Sequence, residues 1–264
     1  MNETNPVPPE IPPHIQQEIP PPPSPSFREM PPRPLGDDSA ERVPITNAIA
    51  AIDAILRQPR RVMFQLRQPD AHRLVTSMVL ASLVCAAIYG AIAGTSTGGS
   101  QLGVASVKVT LGLLISGVIC LPSLYIFTCL SGSQARLLEI CGLLSGLFLL
   151  MTVLLIGFAP VAWIFSQSTD SLVGMGALHL IFWFIATAFG LRFLQAGFSQ
   201  SRARSQAGIK TWVVIFVLVA LQMTAALRPI LGKSDTFLPG SKKFFAVYWS
   251  QCFQEARDNS RATR

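Results

Sequence analysis

Charged residues are scarce. They make up 13% of the 264 positions, about half the quarter typical of a soluble domain, which excludes an ordinary water-facing globular surface. The cysteines, Cys85, Cys120, Cys129, Cys141 and Cys252, contain no CxxC pair. That removes the usual zinc-ribbon and thiol-redox signatures. Four of the five lie in or beside apolar runs, where cysteine behaves as a small hydrophobe, and no disulfide framework is expected. The histidines, His14, His72 and His179, are scattered along the chain. HExxH, GxSxG and P-loop motifs are all missing, as are paired carboxylates within apolar runs. No catalytic centre, metal site or cofactor is expected, and the chain reads as a non-enzyme. The first 25 residues have neither a basic start nor an apolar run, so no cleavable signal peptide is expected. The first long apolar run would then direct insertion.

What is present in quantity is apolar sequence, 50% of the chain. It is gathered into five runs, at about 74–94, 105–130, 137–159, 172–197 and 210–231. Each has roughly 20 residues or more, enough to cross a hydrocarbon core of about 30 Å. The runs are joined by short connections, one rich in Gly, Ser and Thr (95–104), one a tight turn (131–136), one holding Pro160 and Trp163. Such loops make consecutive helices antiparallel neighbours. The fold class expected is an all-α membrane protein of five transmembrane helices, residues 70–232.

Residues 1–44 hold 14 of the 20 prolines and a net charge of −4, against +7 for the whole chain. With little to bury and few free N–H donors, this segment reads as a disordered proline-rich tail with polyproline II character. Arg28, Pro31 and Pro34 give it an RxxPxxP pattern of the kind an SH3-like groove takes, but a solvated spacer is the favoured reading, since such patterns are common in any proline-rich run. Residues 45–69 follow as an interfacial amphipathic helix. Ile45, Ile49, Ile52 and Leu56 fall on one helical face, Pro59 ends it, and Arg60, Arg61 and Arg67 would face lipid headgroups. Beyond the last run, residues 233–264 form a C-terminal tail with an aromatic interfacial segment around Phe244, Phe245, Tyr248, Trp249 and Phe253.

Basic residues near the run ends set the orientation. Arg57, Arg60, Arg61, Arg67, Arg73, Arg136, Arg192, Arg202, Arg204 and Lys210 lie on one side, and Lys108, Arg228, Lys233, Lys242 and Lys243 on the other. The positive-inside rule then places the N-terminus in the cytoplasm and the C-terminus outside. The basic remainder of the chain points to anionic lipid headgroups rather than to nucleic acid.

Within the runs, small residues recur at every fourth position: Ser82, Ala86, Gly90 and Gly94; Gly112, Ser116 and Cys120; Gly142 and Gly146. Such faces let helices approach closely in lipid. Pro122 falls inside the second run and predicts a kink. Arg136 and Glu139 are spaced for an i,i+3 ion pair. Lys108, Arg192, Lys210 and Arg228 lie near boundaries and can snorkel. His179 and Gln222 are the deeper polar groups. At 1.5 Å per residue they lie roughly 10 and 12 Å from one membrane face, so a hydrogen-bonded clasp between them is expected.

The stretch from Leu121 to Ser133, LPSLYIFTCLSGS, together with five spans behind a proline-rich tail, resembles the Yip-type (Ypt-interacting protein) family. It is more closely similar to bacterial five-helix membrane proteins of that shape. The likeness covers about residues 70–231 and is topological. Eukaryotic members carry an Asp-Leu-x-Gly-Pro-like signature before the first span, where this chain reads DAHRL from Asp70 to Leu74. The resemblance implies a non-enzymatic, membrane-organising or partner-binding role. The functional expectation is a scaffold or adaptor in the bacterial inner membrane whose tail recruits a protein partner. The alternative is a transporter or channel component using its intramembrane polar groups.

Overall fold

A computed structural model describes residues 34–95, 101–133, 135–168, 172–200, 207–227 and 254. The chain divides at Pro32. Residues 1–33 lie outside the described residues, as do Arg228, the aromatic segment near the C-terminus and the RxxPxxP pattern up to its last proline. Everything below concerns the second unit.

Among the described residues the fold is all helical. A 3-10 turn, Ser39–Arg42, precedes α1 (Ala48–Arg57), α2 (Pro59–Gln65), α3 (Ala71–Gly94), α4 (Gln101–Leu130), α5 (Leu137–Ser168), α6 (Leu172–Ser199) and α7 (Ala207–Leu227). Four helices are long and apolar enough to cross a membrane: α3, α4, α5 and α6. α7 adds a shorter apolar stretch, Gly208–Met223. The outward faces confirm the environment. Leu80, Val84 and Ile88 on α3, Val107, Leu114, Val118 and Ile126 on α4, and Ile181, Ile185 and Phe189 on α6 are exposed. Apolar stripes of this length face lipid, not water. The chain is an integral membrane protein.

Local chemistry sets the helix ends. Asn47 caps α1, its side chain accepting from the Ala50 N–H at 2.7 Å. Pro59, read above as a terminator, also opens α2 at its first turn, where a missing N–H costs nothing. Gly132, at φ 73°, ends α4. The N–H groups of Gly132 and Ser133 return to the carbonyls of Cys129 and Thr128 at 3.0 and 3.3 Å, a Schellman closure. α5 corrects its expected boundary. It runs 32 residues with Pro160 inside it, about 48 Å at 1.5 Å per residue. Pro160 is exposed, and the helix carries on past it without the backbone bond from residue 160 to the Ile156 carbonyl.

α3 is flanked by α4 and α5, α6 packs along α5, and α7 along α4. The small residues are what bring these helices together. Ser82, Ala86, Gly90 and Gly94 are all buried, as are Gly112, Ser116, Gly142 and Gly146. A Cβ on Gly90 would stand 2.8 Å from Ser106 Cα, and one on Gly190 3.0 Å from the Leu147 carbonyl oxygen. At the first crossing, Ser106 Oγ donates to the Ala87 carbonyl at 2.8 Å.

The N-terminal helices depart from expectation. α1 and α2 do not rest their apolar face on lipid. α1 packs against α3 and α5, and α2 against α1 and α6, as a wedge in one end of the bundle. The face turned inward is Ala51, Ala54 and Ile55, while Ile49 and Leu56 stand 79% and 47% exposed. Ile55 reaches the surface of Gly146, and Leu66 that of Gly142. Ile45 and Ile52 still pack on the core, so the inward face is rotated rather than reversed, and the small Ala51 and Ala54 let α1 approach its neighbours closely. The arginines are also redirected. Arg61 donates to the carbonyls of Val43 and Pro44 at 2.8 and 3.2 Å, and Arg67 to that of Gln200 at 2.9 Å.

Candidate functional site

Two polar assemblies stand out, one at each end of the bundle. The first lies at the end away from α1 and α2. Tyr89 belongs to the inward stripe of α3, one turn from its C-terminal end, and His179 lies two turns into α6. Because α3 and α6 end and begin at the same side, the two residues meet. Tyr89 Oη and His179 Nδ1 are 2.7 Å apart, with the rings edge-on at 81° and centroids 5.7 Å apart. Both are buried, at 4% and 1% exposed. Tyr89 packs in a cluster with Met151, Leu155, Ala159, Ala162, Phe182 and Ala186, α5 contributing alanines where the aromatic rings need room. Phe158 and Phe182 stack in that cluster at 4.8 Å.

His179 Nε2 is left without a hydrogen-bond partner. Neutral imidazole offers one donor and one acceptor. If Tyr89 donates to Nδ1, then Nε2 carries the proton and points a donor into apolar surroundings. If Nδ1 donates to Tyr89, then Nε2 is an orphaned acceptor. Either arrangement costs about 1–3 kcal/mol.

The expected clasp between His179 and Gln222 is not made. Tyr89 takes Nδ1, and Gln222 is half-buried on α7, which packs against α4 and not beside α6. Depth alone suggested the pair, and lateral order separates it. Tyr89, not singled out from the sequence, supplies the partner. The Arg136–Glu139 ion pair is likewise not formed. Arg136 precedes the first turn of α5, its carbonyl accepting from the Ile140 N–H at 3.1 Å, so i,i+3 spacing does not bring its side chain over Glu139. Lys108 does not snorkel to the surface either. It is 4% exposed, on the inward stripe it shares with Ala105, Gly112 and Ser116. Arg192 and Lys210 are exposed, and the Arg192 guanidinium lies 5.8 Å over the Phe189 ring. Pro122 is exposed inside α4. Trp212, unremarked in the sequence, spans it from α7, its Nε1–H donating to the Cys120 carbonyl and to Ser123 Oγ, each at 3.2 Å.

The second assembly corrects the tail boundary. Residues 34–44 are folded. Glu41, 7% exposed, accepts from the Gly36 N–H at 2.5 Å and from Arg60 Nε at 2.6 Å. Arg60 also donates to the Pro34 carbonyl at 3.1 Å, and Arg42 to that of Gly36 at 2.9 Å. Gly36 turns the chain at φ 89°, where a Cβ would strike the Phe64 ring at 2.5 Å. Gln65 bonds the backbone of both Ile45 and Val43, and Leu35 and Ile45 pack on the core. Burial acts to raise the Glu41 pKa. The hydrogen bonds from Arg60 and Gly36 and the Arg60 charge outweigh it, so the carboxyl lies below its usual range.

Among the described residues no group of three or more His, Cys, Asp or Glu side chains is placed to hold a metal. No family model matches the chain, no curated protein matches it, and no solved structure matches it.

Proposed function

We propose that this chain is a non-catalytic scaffold or adaptor of the bacterial inner membrane, with five spans, a cytoplasmic N-terminus and an external C-terminus. In this reading α7 is the fifth span and residues 1–33 recruit a protein partner. The observation that supports it is the clasp of Glu41, Arg60 and Gly36. It ties the chain at Pro34 to α2, so whatever precedes that point departs from a fixed position at the bundle end. The basic side chains near that end favour its facing the cytoplasm. The Yip-type resemblance belongs to the same proposal. A recruiting tail gains effective concentration when its root is immobile and close to the membrane. The test is crosslinking in native membranes with the full chain and with one lacking residues 1–33. A discrete crosslinked species present only with the tail supports the adaptor. An identical crosslinking pattern with and without the tail overturns it.

A second reading, a transporter or channel component, draws on the buried Tyr89–His179 pair. It requires that His179→Ala abolish a transport activity that an adaptor would not possess.

A further inference from the structure

We propose that the Tyr89–His179 pair is a binding site for a neutral lipophilic molecule with one carbonyl or hydroxyl oxygen, held at His179 Nε2 with its apolar body in the surrounding cluster. The proposal is independent of the adaptor reading.

Nε2 is the sole buried side-chain polar atom without a partner among the described residues, and its ring is 1% exposed. That counts against solvent as its partner. A buried water typically makes about three hydrogen bonds, and among the described residues no second buried side-chain polar atom is left to share it. A ketone or alcohol oxygen on an apolar body is satisfied by a single bond and brings the rest of its surface into a matching environment. The pair itself is neutral and hydrogen-bonded, so it suits a neutral head rather than a phosphate or carboxylate.

The surroundings fit the body of such a molecule. The cluster holding Tyr89 is rimmed by half-buried apolar side chains, Ile92, Phe158, Leu178 and Trp183. Residues with part of their surface on the bundle exterior give a ligand dissolved in lipid a lateral route inward. The Phe158–Phe182 stack, with planes 12° apart, offers a flat aromatic face one turn along α6 from His179. Tyr89 sets the chemistry of the site by holding Nδ1. A donating tyrosine fixes the tautomer that presents Nε2–H to an oxygen acceptor.

Benzophenone tests this directly, because its ketone is both the hydrogen-bonding group and the photoreactive one. Purified full-length protein in lipid nanodiscs is irradiated with benzophenone, alone or with excess diphenylmethane, which has the same body without the oxygen. Adducts are mapped by mass spectrometry. Saturable labelling of the peptides around Tyr89, Phe158 and Phe182, resistant to diphenylmethane, is the expected result. Labelling there should fall at least tenfold in His179→Leu and persist in His179→Gln, which keeps a donor. Tyr89→Phe preserves packing while releasing Nδ1, and should weaken labelling several-fold even if His179→Leu fails to fold. Adducts spread along the lipid-facing residues Leu80, Val84 and Ile185, unchanged by Tyr89→Phe, would overturn the proposal. So would equal competition by diphenylmethane, or absence of saturable labelling while the Nε2 proton exchanges rapidly with water, which would assign the atom to solvent.

Discussion

Replacing Glu41 by Gln isolates the charge that holds the root of the tail. The amide keeps the size and one acceptor oxygen. Its NH2 must then face either the Gly36 N–H or the Arg60 guanidinium, donor against donor, so one of the two bonds at 2.5 and 2.6 Å is lost. A charge-assisted hydrogen bond contributes about 1.5–3 kcal/mol. The Arg60 side chain remains 37% exposed, and water takes over part of its solvation. The loss is therefore about 1–2 kcal/mol, a roughly 5- to 30-fold shift toward the open root. Trypsin reads this population at the bond after Arg42, whose side chain is held to the Gly36 carbonyl. Where opening is fast relative to cleavage, the rate follows the open fraction. Cutting should be about 5- to 30-fold faster in Glu41→Gln. Acid should act in the same direction. The folded pKa of Glu41 is lowered, so its contribution is complete above the ordinary carboxylate range and is lost as pH falls through the native value. A nitroxide at the exposed Ser39 should mobilise on acidification in the wild type and be mobile throughout in Glu41→Gln. Arg60 and Asp38 face this carboxyl. Asp38 opposes its ionisation, so Asp38→Asn should move the transition to lower pH. Cleavage of Glu41→Gln at the wild-type rate, or an acid transition that survives the substitution, would refute the reasoning.

Removing residues 1–33 should leave the unfolding midpoint in detergent unchanged, whereas removing 1–44 should lower it, because Leu35 packs on the core and Gly36 and Glu41 are buried. Gly90→Ala should cost about 1–3 kcal/mol by overpacking against the α4 backbone, and Gly103→Ala should be neutral, as nothing lies within 4 Å of it; thermal unfolding of the pair checks both. Trp212→Phe should cost about 0.6–2 kcal/mol, and a double-mutant cycle with Ser123→Ala should show coupling between the two positions. A reporter active only outside the cytoplasm should be active when fused after Gly232 and silent after Ser133; the reverse pattern would invert the orientation, and equal activity would remove a span.

The apolar runs were legible because lipid demands about 20 apolar residues in a row, and no tertiary context overrides that demand. The small-residue positions could also be read, since close helix approach has few other solutions. The wedge could not be read by hydropathy. Ile49 and Leu56 carried the stronger signal, and Ala51 and Ala54, which pack, carried almost none. Glu41 and Gly36 were hidden by the prolines around them, and composition assigned the whole stretch to a tail. For His179, sequence gave depth but not lateral order. With α6 against α5 and α7 against α4, the helices carrying His179 and Gln222 pack on different partners. The third run was ended at 159 and Pro160 placed in the connection, whereas α5 continues through it at the loss of one backbone hydrogen bond.

The fit of Ile55 against Gly146, and of Leu66 against Gly142, also has a consequence in time. The side chains of the wedge are synthesised roughly 75–90 residues before the glycines they meet, a lag of about 4–18 s at ~5–20 residues per second. During that interval α3 and α4 can already enter the bilayer, while Ala51, Ala54 and Ile55 have no groove to enter. The first helix made is thus among the last to find its place, and completion of α5 is the event that seats it. A chain stalled before Gly146 should leave α1 open to protease, and one stalled well after it should not.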